Sequence, residues 1–395
     1  MPSLTLTNVR PWGGEAADIH VDGDRITAIH PTGRAEPTGE RLDGAGAVAL
    51  PGFVNAHAHP DKSWWGKPWV SYGGKATTQG RIAHEREYRD ALGIPSVDSA
   101  TAVLREYLRH GTTAARGHVD VDLGVGLRGI EVLAEASAAL GGAVAIAIVA
   151  FPQDGVMRRE GVLKLLDEAA VAGATSVGGI DPASIDRDPV AQLDGLFDIA
   201  VRRDVGLDIH LHDRGELGAF QFELIIERTR RHGRQHRVTV SHGFALGELD
   251  PARQTALVAE LADAGISWAT VAPPRSAPLP WRELRDGEVP LGLGTDGIRD
   301  LWSPFGDGDI LRVALDFARL HGLRTDADLT YAVELATRRA AGFVHRDVHD
   351  LVAGARADIV LLDAQNVPDA LVRCPRRRLV VAGGRVVAAD GELRI

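Results

Sequence analysis

Eight short apolar runs between residues 53 and 296, each divided from the next by a segment of helical character, limit the possible folds of this chain more than any other feature. They read FVNAHAH (53–59), TTAARGHV (112–119), AVAIAIVAF (143–151), TSVGGI (175–180), GLDIHLH (206–212), RVTVSH (237–242), GISWATVA (265–272) and PLGLGTD (290–296). Runs of this kind suit strands buried on both faces, with the intervening stretches as covering helices. DSATAVLREYLRHG (98–111) would be capped by Asp98 or Ser99, set Val103, Leu104, Tyr107 and Leu108 on one face, and stop at Gly111. ELGAFQFELIIERTRRHG (216–233) carries Phe220, Leu224 and Ile225 at helical spacing. Strand and helix alternating eight times predict a (β/α)8 barrel. A doubly wound open sheet would need a phosphate-binding turn after its first strand, and no such turn stands near the start. GLGTDG (292–297) fits the dinucleotide pattern G-x-G-x-x-G with Asp316 beyond it, yet it closes the eighth run and leads to no further core strand.

The ends have a different texture. SLTLTNVR (3–10) and ADIHVDGDRITAIHP (17–31) alternate and turn around Asp22-Gly23-Asp24, as a hairpin does. ADIVLLD (357–363) and RRLVVAGGRVVAADGELRI (377–395) repeat that pattern near the C-terminus. We expect residues 1–50 and 348–395 to build one small β-sandwich domain flanking a barrel of residues 51–347.

Several function classes fall away on composition. Lys and Arg number 44 against 54 Asp and Glu, a net charge of −10 that argues against nucleic acid as a partner. The longest apolar run, Ala143 to Phe151, is far short of the ~20 residues of a membrane helix. Cys374 is the only cysteine, which rules out an intrachain disulfide and a multi-cysteine zinc site. Met1 to Asn8 lack the basic start and apolar core of a secretion signal, so a cytoplasmic location is expected.

Barrel active sites lie at the C-terminal ends of the strands, and here those ends are polar. Run one ends His57-Ala58-His59, run two holds His118 and Asp120, and run five ends His210-Leu211-His212-Asp213. Run six ends Ser241-His242 and run eight Thr295-Asp296, so six of the 15 histidines fall on strand ends. Residues two apart on a strand share a face, which sends His57 with His59, and His210 with His212, toward the barrel axis. With Asp296 these make an N and O donor set suited to a divalent ion such as zinc or ferrous iron. TSVGGIDP offers no lysine to bridge a second ion, so one ion is expected. His57, His59, His210 and Asp296 as its ligands would leave a position open for water.

In combination, PGFVNAHAHPDK (51–62), the strand-five and strand-six histidines and the strand-eight aspartate resemble the amidohydrolase superfamily over essentially the whole chain. RGHVDVD (116–122), VAFPQDG (149–155), VTVSH (238–242) and DLWSPFGDGDI (300–310) are similar to its cytosine deaminase branch. Asp61-Lys62-Ser63, GGIDPA (178–183) and HLHD (210–213) resemble more closely the N-isopropylammelide amidohydrolase type. The resemblance implies a metal-dependent hydrolase that deaminates a pyrimidine, triazine or related ring through a metal-bound hydroxide. It implies His57, His59, His210 and Asp296 as metal ligands, with Asp296 also taking a proton from water. His242 would stabilise developing charge, His212 or Asp213 would carry the proton to the leaving nitrogen, and Lys62 would donate to the substrate. Gln153 would meet a ring carbonyl, while His118 and Trp302 would line the pocket; Trp64, Trp65 and Trp69, clustered after the first run, suit either the wall of a flat heterocycle's pocket or an interface patch. Asp213 stands where cytosine deaminases have glutamate, and Gly297 where they have an aspartate that reads the pyrimidine; both departures point away from cytosine itself. Release of an N-alkylamine and opening of a cyclic amide are the alternatives on the same machinery. A non-catalytic barrel scaffold is the remote one, set against the full complement of ligands. The partners expected are a small heterocycle and further copies of the chain in a homo-oligomer.

Overall fold

The computed structural model describes residues 3–274 and 276–395. All eight apolar runs form strands: Phe53–Ala58, Thr112–Asp120, Ala145–Phe151, Ser176–Ile180, Gly206–Leu211, Val238–His242, Ser267–Thr270 and Leu291–Leu293. They pair in chain order, every pair parallel. The ring closes between last and first, where Asp296 N donates to His57 O at 3.0 Å. That seam requires a glycine, because a Cβ on Gly294 would fall 2.4 Å from His57 O. The two residues joined across the seam are thus two of the expected metal ligands. This is a (β/α)8 barrel.

Helices between the strands start on side-chain caps. Asp188 accepts from Ala191 N and Asp250 from Ala252 N, each followed by proline at the first helical position, where its missing N–H costs nothing. The helix expected to begin on Asp98 or Ser99 runs Val97–Arg109 instead, because Ser96 Oγ accepts from Ser99 N. Its buried face does hold Val103, Leu104, Tyr107 and Leu108. In Gly215–Arg231 the buried face is Phe222, Ile225 and Ile226, while Phe220 is 46% exposed. A short helical turn, Arg338–Val344, plugs the N-terminal mouth of the barrel, packing Ala340, Phe343 and Val344 on Val54, Ala56 and Ala114.

Strands from both chain ends share one further array. Leu4–Pro11 bends: its first half pairs with Ala17–Asp22 and Glu40–Asp43, and Arg10–Pro11 pairs with Val48–Ala49. Val48–Pro51 pairs with Ile359–Leu362, which continues through Arg377–Ala382 and Arg385–Ala389. The two sheets so joined enclose Leu6, Ile19, Val21, Ala49, Ile359 and Val381 as a sandwich core of their own. The hairpin at Asp22 turns through Gly23 and Asp24, with Gly23 at φ +59°. Among the described residues no helix is long and apolar enough to cross a membrane.

Candidate metal centre and active site

At the C-terminal mouth of the barrel His57 is fully buried, and a chain of hydrogen bonds from the barrel interior fixes its ring. Arg116 Nε donates to Asp208 Oδ2 at 2.7 Å, and Ser241 Oγ donates to Asp208 Oδ1 at 2.6 Å. Asp208 is buried, which alone would raise its pKa, but His118 and Arg116 hold it well below the carboxylate range. With its proton committed to Asp208, Ser241 Oγ is left to accept from His57 Nδ1 at 2.9 Å. With Nδ1 so engaged, Nε2 is the ring nitrogen that faces the site, and no hydrogen-bond partner meets it among the described residues.

Three further polar atoms follow from it in a run of close approaches. Asp296 Oδ1 lies 3.5 Å from His57 Nε2 and 3.4 Å from His59 Nε2. His59 Nε2 and His210 Nε2 are 3.3 Å apart. Burial pushes His59 and His210 well below the usual imidazole pKa, so both are neutral at physiological pH. A single proton could satisfy one of these close pairs; a cation at the centre satisfies all four atoms. Ligands ~2.0–2.1 Å from a zinc-like ion in a tetrahedral array stand roughly 3.3–3.4 Å from one another, and these three separations are of that size. The donor set fits a divalent ion.

Three of the chain's positive-φ residues lie here. Asp296 and His242 hold φ of +59° and +68°, and Asp181 holds +33°, a region that side-chain-bearing residues rarely adopt. These are the ends of strands eight, six and four. His242 lines the cavity, its ring centroid 4.8 Å from that of His57 and 4.4 Å from that of His212. His212 Nδ1 donates to Asp181 Oδ2 at 2.8 Å, which leaves Nε2 for the cavity. Burial opposes the charged form of His212, but the Asp181 carboxylate outweighs it and raises the pKa.

Asp213, the other shuttle expected from sequence, does not line the cavity. Its Oδ2 accepts from Gln221 Nε2 at 2.9 Å and Ser184 N at 3.2 Å, and the place beside His212 belongs to Asp181. His118 differs from expectation too: it is fully buried with Nε2 3.3 Å from Asp208 Oδ2, beneath the cavity rather than in its wall. Trp64 and Trp69 stack edge to face and Trp65 packs under Arg299; none of the three faces the cavity.

Lys62 is buried and lines the cavity. Its Nζ donates to Gln153 Oε1 at 2.6 Å and meets Asp120 Oδ1 at 2.8 Å and Glu85 Oε1 at 3.6 Å. The Lys62 contact fixes the Gln153 amide with its NH2 free to donate. Burial would neutralise Lys62, but the surrounding Asp120 and Glu85 keep it charged. Trp302 donates Nε1 to Glu85 Oε2 at 2.5 Å and forms part of the wall, and Phe151 stacks on the His210 ring at 3.9 Å. The cavity measures about 830 Å³ and has an apolar side of Val271, Pro273, Pro274 and Val313. Sequence reading missed Asp181, Asp208, Ser241 as an orienter, and Asp300, which also lines the cavity. GGIDPA contained Asp181, VTVSH contained Ser241 and DLWSPFGDGDI began on Asp300, but none of the three was given a role, and Asp208 lay unremarked inside run five.

Fold and site together define a (β/α)8-barrel hydrolase. The amidohydrolase family model matches residues 40–388, and the chain belongs to that family. It is a hydrolytic enzyme of C–N bonds. The chain is 42% identical to N-isopropylammelide isopropylaminohydrolase from Burkholderia multivorans ATCC 17616, whose crystal structure superposes with a TM-score of 0.95 over 100% of both chains. N-isopropylammelide isopropyl amidohydrolase of Pseudomonas sp. (strain ADP) is 28% identical over 94% of each sequence. The 5-methylcytosine deaminase of Klebsiella pneumoniae shares the fold at a TM-score of 0.82 and 23% identity, covering 98% of this chain and 97% of that one.

Proposed function

We propose that this enzyme hydrolyses the exocyclic C–N bond of an oxygenated nitrogen heterocycle, a triazine or pyrimidine, and releases the amine. His57, His59, His210 and Asp296 would hold one zinc or ferrous ion. When bound, that ion lowers the pKa of water from 15.7 to ~7 and so supplies a nucleophile at neutral pH. Asp296, held ionised by its histidines against the effect of burial, accepts a proton as the water attacks. An amide anion leaves too slowly, and His212, oriented by Asp181, delivers a proton to the departing nitrogen; such help is worth ~10²–10⁴ in rate. His242 stands where charge develops, and the Gln153 amide, positioned by Lys62, donates to a ring carbonyl. Trp302 supports one face of the ring.

The observation that carries this reading is the convergence of three imidazoles and one carboxylate beside the His212–Asp181 pair at the cavity floor. The apolar side of that cavity suits an alkyl substituent and favours N-alkylamine release over plain deamination. The similarity to the Burkholderia enzyme supports the same preference. Amine release measured over N-alkylated and unalkylated aminotriazines and aminopyrimidines tests it. The expected result is alkylamine from a ring that also bears oxygen. Ring opening without amine release would instead indicate a cyclic amide hydrolase.

A further inference from the structure

Gly297 follows Asp296, and its missing side chain is not empty space. A Cβ built on it would fall 1.6 Å from Asp300 Oδ2, so the Asp300 carboxyl occupies that volume. Asp300 is only 5% exposed and its surface faces the cavity. The two oxygens are inequivalent. Oδ1 accepts from the backbone N–H groups of Ser303 at 2.7 Å and Trp302 at 2.8 Å, which locks the carboxyl in place. Among the described residues no group donates to Oδ2. The cavity's cation, Lys62, is taken by Gln153 and Asp120. Oδ2 is thus an acceptor turned toward the cavity, open to a donor that a ligand supplies.

We infer that Asp300 is a specificity-determining residue, whose Oδ2 accepts a hydrogen bond from a ring N–H of the substrate. This deepens the reading above and rests on it: the cavity takes a nitrogen heterocycle, and Asp300 restricts that class to rings in the lactam form. Such a ring presents N–H beside C=O, so the donor goes to Asp300 and the acceptor to the Gln153 NH2. An aromatic ring whose nitrogens are bare, or one methylated at nitrogen, offers Oδ2 only a lone pair or a methyl group. Sites built to pair with an N–H reject analogues lacking it far more strongly than apolar pockets reject a missing methylene. Burial pushes the Asp300 carboxyl up to about 6 against the pull of Lys62, so it is chiefly an acceptor at neutral pH.

The test uses the metal-loaded enzyme and two probes, cyanuric acid, a ring of alternating C=O and N–H groups, and its tri-N-methyl derivative. Asp300→Asn keeps an oxygen at the Oδ1 position for both backbone donors and places an NH2 at Oδ2, so the loop is retained and the cavity-facing atom inverted. Calorimetry should show the native enzyme binding cyanuric acid at least tenfold more tightly than the methylated ring. Asp300→Asn should erase that preference with metal content unchanged. Gly297→Ala, which displaces the Asp300 carboxyl, should do the same and guards against a defect peculiar to the first variant. Equal binding of both probes by the native enzyme, binding of neither, or full discrimination surviving in both variants would overturn the inference. Amine release assayed on the same preparations reports separately on the proposed reaction: a probe preference without amine release would sink the reaction alone.

Discussion

Single residues in this site act through their neighbours' protons. Ser241 has one hydroxyl hydrogen, and because Asp208 takes it, the Nδ1 of His57 must donate and its Nε2 must face the ion site. Ser241→Ala removes that constraint, and metal affinity should fall by ~10–100-fold, read by chelator competition, with little change in Tm. Asp208→Asn goes deeper. It leaves Arg116 buried without its counter-charge, and should cost roughly 3–5 kcal/mol of stability in denaturant unfolding as well as metal affinity. On the proton-delivery side the structure separates two aspartates adjacent to His212. Asp181→Asn should lower kcat by ~10²–10⁴ with metal content unchanged, whereas Asp213→Asn should stay within a few-fold of the native rate. Equal losses from both, measured by steady-state kinetics, would contradict the placement of Asp181 as the partner of His212.

At the scale of elements, the barrel divides its labour between two ends. The candidate site sits at the C-terminal mouth, and the N-terminal mouth is closed by Arg338–Val344 with Phe343 among the barrel's alanines and valines. Phe343→Ala should cost about 3–5 kcal/mol by leaving a cavity there, while KM for any substrate turned over stays as it was. The elements themselves were legible in the chain, since a strand buried on both faces must be apolar along its length and eight such runs recur at barrel spacing. The histidines were legible for the same reason: polar side chains at the ends of apolar runs stand out. Their orienters were not. Asp181, Asp208 and Arg116 are ordinary polar residues within or just after strands, and the partners that give them meaning lie 31 to 92 residues away. Asp213 looked like the shuttle because it follows His212 and stands where cytosine deaminases have glutamate, but a strand end turns the next side chain out, and Gln221 on the following helix captured it. The burial face of Gly215–Arg231 slipped because Phe220 and Phe222 compete for it, and only packing decides between them.

The molecule as a whole brings together groups up to 239 positions apart, from His57 to Asp296, in one cluster whose N and O atoms approach to 3.3 to 3.5 Å. A cation bound among these four residues would relieve the crowding of their acceptor atoms, and would then contribute to folding as well as to chemistry. Chelation should lower Tm, and readdition of zinc or ferrous ion should restore it in a concentration-dependent way, since an ion at 100 times its Kd stabilises by ~2.7 kcal/mol. The most direct measurement is an anomalous-difference map of crystals grown from metal-loaded protein, with elemental analysis of the same sample. One ion per chain, with one peak ~2.0–2.2 Å from His57 Nε2, His59 Nε2, His210 Nε2 and an Asp296 oxygen, is the result expected. A sample that hydrolyses C–N bonds with no peak among those four residues, or with its ion bound elsewhere, would contradict the account.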